Sequence, residues 1–559
     1  MKKHLLIIVS LILAAQLGFA GGLVHNTNQS TAWTRLMVRD ASTSIDAVYF
    51  NPAGLMKLSD GFHFSINNQS LWQTQTITNT YPHLNDGTYE GKVSAPLFPG
   101  IYAAWKKGRV AVSVGFNPIG GGGGATFDRG LPSMEIGVSS LVPAMSGAFQ
   151  QLGYGTPTAY SLDLNFEGTS VYFGIQAGVS FEINEHISVY GGARYVMAKN
   201  TYSGYMRDIK IQTEGGPLSG NLGASETMDE ISTTFAGIST AANGGGNAMQ
   251  PIIENGGGDY TFAQLEGAGV ITAEQRAQME GGLLQFGIPQ EQIDAMTASQ
   301  AQQTYFGVGQ QFADRSATFS GLGMVLADQD ADITQTGNAI TPIVGANLSF
   351  LNDDLNIGIK YEFHTKMDLT NEVKDNKGFI TDVDPETGKP VYMFVDGDKV
   401  NADIPAMLSI GLSYRIIKPL RVELGYHTYF DSKCGWATDE DGIELVDKNF
   451  NEYAIGLEYN ITDKFIVSAG YLAAITGVNE KYQSDMSFSL TTNTFGGGFA
   501  YEINDMFTAQ IGAFSTSYKE QSVDYTHSFQ TSAGVENIPY TETYDKKTFA
   551  FSLGIDISL

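Results

Sequence analysis

Two cations stand where they could meet a buried carboxylate. Arg194 lies in the segment Ile187 to Met197, and Lys360 lies between the aliphatic residues Ile357 and Ile359 and the aromatics Tyr361 and Phe363. Each falls on the face opposite the apolar set. Burying an unpaired carboxylate costs on the order of several kcal/mol, so an apolar acid would need such a partner. The same two side chains could instead form salt bridges with Glu362 and Glu458, and Arg207 and Lys210 are further candidate cations. Leu283, Leu284, Phe286 and Ile288 could supply apolar ligand contacts or simply pack their own helices. No catalytic residue is expected: there is no Gly-x-Ser-x-Gly elbow and no His-Glu-x-x-His, and the eight histidines are scattered. Asp328-Asp330-Asp332, Asp382-Asp384-Glu386 and Asp439-Glu440-Asp441 lack the full calcium-loop spacing and read as solvated loops, so no metal or cofactor is expected. Gly120 to Gly124 is not followed by the Lys-Ser/Thr that a phosphate loop needs.

The elements that must carry these residues are strands. Alternation of period two recurs in segments of about ten residues, the length of a tilted strand crossing a bilayer. In Phe549 to Leu559 the residues Phe549, Phe551, Leu553, Ile555, Ile557 and Leu559 share one face, and Ala550, Ser552, Gly554, Asp556 and Ser558 share the other. Charges on the second face exclude a soluble sandwich and require a wet lumen. Short turns at Lys106-Lys107-Gly108, Asn184-Glu185-His186, Asn352-Asp353-Asp354, Lys418-Pro419, Thr462-Asp463 and Asn504-Asp505 alternate with long polar connections. Six hairpins, one strand near Phe62 to Thr78 and the terminal strand make fourteen. The fold expected is all-β, a fourteen-stranded antiparallel transmembrane barrel over 57–559, with an extracellular insertion at about 200–320 that contains short helices.

The N-terminus has Lys2 and Lys3, an apolar run from Leu5 to Leu17, and Gly18 and Ala20 flanking Phe19, the pattern of a signal peptide over 1–20. Export to the outer membrane of a Gram-negative cell is therefore expected. The formal charge of −27 excludes nucleic acid as a partner, because phosphate binding needs a basic stripe. The lone Cys434 excludes a disulfide framework. Segment 21–56 is too irregular for a strand pair and belongs either in the periplasm or in the lumen.

Asn51-Pro52-Ala53-Gly54-Leu55, preceded by the small and polar run Asp40 to Ala47, resembles the N-terminal hatch of the FadL family of outer-membrane transporters of hydrophobic compounds. The resemblance implies that 21–56 plugs the barrel, that loops capture a hydrophobic ligand and that the hatch rearranges to let it pass. Exit is then sideways, at a kink in the third strand. Phe116, Asn117, Pro118 and Gly120 match that kink, and Pro118 cannot donate to a ladder. Long-chain fatty acids are the first expectation for cargo, with aromatic hydrocarbons also carried in the family. The barrel is expected to act as a monomer in lipid. A polar-solute porin and a structural or adhesive barrel are the other classes left open.

Overall fold

The computed structural model describes residues 30–439 and 441–559. The signal peptide and positions 21–29 of the expected hatch lie outside the described residues. Fourteen long strands close into one antiparallel barrel: β1 Gly61–Asn79, β2 Thr88–Lys107, β3 Val110–Phe127, β4 Thr156–Asn184, β5 Ile187–Glu214, β6 Gln329–Phe350, β7 Leu355–Glu362, β8 Met407–Ile417, β9 Leu420–Tyr429, β10 Phe450–Asn460, β11 Phe465–Ile475, β12 Thr492–Glu502, β13 Phe507–Tyr518 and β14 Gly534–Ser558. Closure is by β1 against β14, from His63 opposite Ser558 to Asn79 opposite Glu542. All six expected short turns join neighbouring strands at one end. No described helix is long and apolar enough to cross a membrane, which leaves crossing by strands untouched.

The outer face explains the alternation. Ile66, Ile175, Val179, Val344, Ile359, Ile410, Leu424, Ile455, Leu457 and Leu553 are exposed, between aromatics near the short turns (Phe62, Trp105, Phe181, Tyr459, Tyr501) and aromatics higher up (Trp72, Tyr453, Phe495, Phe549). An apolar band between two aromatic girdles is what a hydrocarbon layer requires. On β14 the outward Lys547, its side chain 82% exposed, marks the upper edge of the band. The strands continue above it. β4 has 29 residues, about 95 Å of extended chain, where about 11 would cross.

The stretch between β5 and β6 runs from 215 to 328, because β5 extends well past the membrane. It holds two long antiparallel helices, α5 (Ala224–Ile252) and α9 (Ala298–Val325), and a tip built from α6 (Phe262–Gly267), α7 (Ala273–Gln285) and α8 (Gln290–Ala295). At 1.5 Å per residue the helix pair forms a mast about 43 Å long. Thr261, Thr272 and Thr297 each make a capping box with the glutamine three residues on. The sequence signals the start at Thr272, but α5 and α9, at 29 and 28 residues, are much longer than the short helices expected. The glycines of α5 do not break it, since a Cβ at Gly245 would strike the Tyr305 ring and one at Gly246 the Phe306 ring. They let the two helices approach. Helices α3 (Pro132–Ser139) and α4 (Leu141–Leu152) pack at the base of the mast with Met228, Ile231 and Phe319.

Candidate functional site

The hatch lies inside the lumen. It comprises α1 (Thr31–Leu36), α2 (Ala47–Phe50) and a 3-10 turn over Pro52–Lys57, and nearly all of it is buried. Glycines on the inner wall make room for it. Gly358 pairs with Gly411 and Gly411 with Gly425, and a Cβ on any of the three would run into Asp40. Gly456, Gly470 and Gly496 are likewise paired across β10, β11 and β12, and a Cβ there would meet Leu36, Met37 or Thr34. A groove free of side chains thus runs around the wall, and the hatch backbone fills it.

Ion pairs then fix the hatch in place. Arg35 Nη1 reaches Glu458 at 2.8 Å; Arg39 holds Asp46 at 2.8 Å and Glu423 at 3.1 Å. Asp40 Oδ1 accepts from Ser409 and pairs with His427 Nε2 at 2.5 Å, and His427 Nδ1 pairs with Glu452 at 2.7 Å. Asn51 Nδ2 donates to Ser42 O and to Asn347 Oδ1, while the carbonyls of Pro52 and Ala53 accept from Ser180 and Ser188. The Asn-Pro-Ala segment therefore ties the hatch to β4, β5 and β6. Arg194 and Lys360 belong to the same system. Arg194 is bidentate to Glu362 at 2.5 and 2.9 Å; Lys360 bonds Glu362 at 2.9 Å and Tyr49 O at 2.8 Å, and both lie over the Tyr49 ring. The two cations share the one carboxylate of Glu362, and the hatch carbonyl and ring of Tyr49 complete their surroundings.

Above the hatch is a cavity of about 380 Å³, within the range of small-molecule sites. One side is apolar, formed by Val93, Phe98, Phe127, Phe166, Met486, Phe488 and Leu490. The other is polar, formed by Gln73, Glu452, Thr492, Thr494, Thr516, Tyr518 and Thr548. One cation, Lys546 on β14, lines it. Its ammonium donates to Phe488 O at 2.9 Å and sits 3.9 Å from the centre of the Phe488 ring, with no carboxylate in ion-pair reach among the described residues. An ammonium with donors to spare beside apolar walls can bind a carboxylate.

The cavity reaches the barrel wall where the β2–β3 ladder fails. Val93 pairs with Ala125, and pairing with β3 resumes only at Ile101 opposite Phe116, leaving 94–100 and 117–124 unladdered against each other. Pro96, Pro99 and Pro118 fall in these two stretches and have no N–H to give. β3 instead stays on β4, with Asn117 opposite Gly174, Pro118 opposite Phe173 and Gly120 opposite Tyr172. Phe116 stacks on Phe173 at 5.5 Å, Asn117 Nδ2 donates to Pro118 O, and Ile119 turns into a cluster with Tyr172 and Val196. At Gly121 φ is +87° and a Cβ would lie 2.1 Å from Ser170 O, so only glycine fits this bend. Val93, Ala95, Phe98, Gly121 and Ala125 all line the cavity, so the cavity abuts the unpaired stretch of wall.

A loop over 480–490 roofs the cavity. Gln483 exchanges two bonds with Ser489, Tyr525 donates to Gln483 O, and Ser133 N donates to Asp485. Burial and the neighbouring Glu542, which is above the membrane band, hold the Asp485 carboxyl above its ordinary range, and Asp485 does the same to Glu542.

The remaining expected contacts are elsewhere. Leu283 is fully buried in the core of the tip, Phe286 packs on Tyr305 at 5.8 Å, Ile288 packs on the same core, and Leu284 is 44% exposed. Arg207 pairs with Asp330, and Lys210 lies 3.9 Å from Asp208. None of these six lines the cavity. Lys546 was missed because 519–546 reads as a polar connection. Continuing the alternation of Phe549 to Leu559 backwards through Thr548 would have placed it on the inner face.

No family model matches the chain, and no curated protein matches it. Among solved structures, a Pseudomonas aeruginosa FadL homologue aligns at 12% identity and TM-score 0.51, over 96% of this chain and 99% of that one. The Pseudomonas putida toluene transporter TodX aligns at 12% identity and TM-score 0.46 over 95% and 99%, and the Ralstonia pickettii toluene transporter TbuX at 13% and 0.43 over 94% and 97%. Architecture and site together define a fourteen-stranded barrel with its lumen filled by an N-terminal hatch. The fold is that of the FadL homologue, as the Asn51-Pro52-Ala53 resemblance implies.

Proposed function

We propose that the chain is an outer-membrane channel for apolar and amphipathic small molecules, long-chain carboxylic acids above all. The observation that carries this is that a half-apolar cavity is lined by the stretches of β2 and β3 that do not pair with each other. A ligand held under the roof loop, with its acid on Lys546, can slide past Phe98 and Gly121 into the outer leaflet without meeting the hatch. Reading the hatch as a fixed floor agrees with its paired charges, since undocking would strand several of them in the lumen. It also disfavours a porin, whose water-filled pore needs an open floor. The likeness to the FadL homologue supports the same reading.

The test is uptake of labelled oleate by a Gram-negative host lacking its own transporter. Expression of the protein should restore uptake. Uptake no greater than in the empty host, with the barrel demonstrably in the outer membrane, overturns the proposal.

A further inference from the structure

Two charged side chains on the barrel wall of the cavity keep part of their hydrogen-bonding capacity in reserve, and they lie far apart. Lys546 is one. Glu452 is the other: Oε2 is engaged by His427 Nδ1, while Oε1 takes no protein hydrogen bond among the described residues on a side chain that lines the cavity. The barrel register relates them. Glu452 pairs with Ala474, Ala474 with Thr492, and Thr492 with Tyr518; Ser517, next to Tyr518, pairs with Lys547, next to Lys546. The two groups therefore occupy one row of the inner wall, four strands apart. At about 4.8 Å per strand this is about 19 Å along the wall, and less across the curved lumen.

Between them four of the polar side chains bond within the wall. Thr494 pairs with Thr516 at 2.9 Å, and Thr548 bonds both Tyr518 and Gln73. Phe98, Phe127, Phe166 and Phe488 also line the cavity and offer it rings. A plain hydrocarbon would leave the remaining Lys546 donors and Glu452 Oε1 unmet, and an unsubstituted fatty acid would satisfy only the first. An acceptor that a bound ligand strips of water and leaves unmet is costly, which is how such sites discriminate.

We infer that the ligand class is a long apolar acid bearing a second hydrogen-bond donor, a hydroxyl, remote from its carboxylate. This rests on the transport reading above and sharpens it. The carboxylate accepts from the Lys546 ammonium, the apolar body lies on the aromatic wall, and the distal hydroxyl donates to Glu452 Oε1. An extended long-chain acyl group bridges the separation. Contact at Glu452 also touches the chain of bonds through His427 to Asp40, and so reaches the hatch without any need for the hatch to leave its groove.

The experiment is competitive displacement of a fluorescent fatty acid from the purified barrel in detergent, with palmitate and omega-hydroxypalmitate as probes. The wild type should bind omega-hydroxypalmitate about tenfold more tightly than palmitate, the discrimination of one hydrogen bond to a charged acceptor. In Glu452→Leu the two affinities should converge. Equal binding of the two probes by the wild type overturns the inference and leaves the transport reading standing, and needs no variant to fold. A preference that persists in Glu452→Leu also overturns it. Binding of neither probe removes the transport reading itself.

Discussion

Replacing Lys546 by Met keeps an unbranched stem of similar length against Phe488 and removes only the ammonium. The structure allows the consequence to be worked out. The ammonium spends one donor on Phe488 O and faces no carboxylate among the described residues, so two donors are free for a ligand acid. A hydrogen bond to a charged group contributes about 1.5–3 kcal/mol, which corresponds to about a tenfold to hundredfold change in affinity. Palmitate should therefore weaken by about that factor in Lys546→Met. Palmityl alcohol, with the same body and no charge, should change by less than about threefold, because the lost ammonium also contributed desolvation cost. Titration calorimetry or displacement in detergent reads both numbers. A loss shared equally by acid and alcohol would mean that Met disturbed the roof loop rather than the acid receptor. No loss for either would refute the assignment of Lys546.

Three other outcomes follow from the hatch and the roof. Gly411→Val places a side chain 2.4 Å from Asp40 Cβ, so the hatch must shift; overpacking of this kind costs about 1–3 kcal/mol, and planar-bilayer recordings should change from closed to a steady open current. Arg39→Ala leaves Asp46 and Glu423 buried without their partner, and thermal unfolding in detergent should show a loss of about 3–5 kcal/mol. The Asp485 and Glu542 carboxyls are both raised by burial and by each other, so the folded roof prefers them protonated; its stability is full in acid and declines as pH rises above the ordinary carboxylate range. Hydrogen exchange over 482–490, corrected for intrinsic rates, should show faster opening at about pH 8 than at about pH 5, and Asp485→Asn should flatten the difference.

What could be read from the residues, and what could not, divides along physical lines. Strand positions were legible because the lipid penalises every outward charge, which leaves an unbroken alternation in stretches such as Phe549 to Leu559. Charges on the opposite face, Arg194, Lys360 and Glu362, marked the lumen. Whether they waited for a ligand or were already paired depended on Tyr49 and on the hatch, which no local pattern reveals. Pro118 marked the kink from one side, but the gap needs Pro96 and Pro99 on β2 as well, and a break in a ladder belongs to two strands at once. The helix α5 was obscured by Gly244, Gly245 and Gly246. The helix penalty of Gly245 and Gly246 is offset by close packing against Tyr305 and Phe306, residues some sixty positions away. The glycine groove around the hatch was invisible for the same reason: Gly358, Gly411, Gly425, Gly456 and Gly470 come together only when the barrel closes.

The central claim is that ligand leaves through the wall between β2 and β3. Ala95 lies in the unladdered part of β2 and lines the cavity, so Ala95→Trp puts an indole into the passage without touching the hatch or Lys546. The measurement is the initial rate of labelled oleate uptake by cells carrying this variant at wild-type levels, alongside its oleate affinity in detergent. Uptake is predicted to fall at least about tenfold while affinity stays within about threefold, since blocking an exit is a kinetic effect that leaves the equilibrium site intact. Uptake at the wild-type rate would contradict the account and send the ligand through the hatch instead.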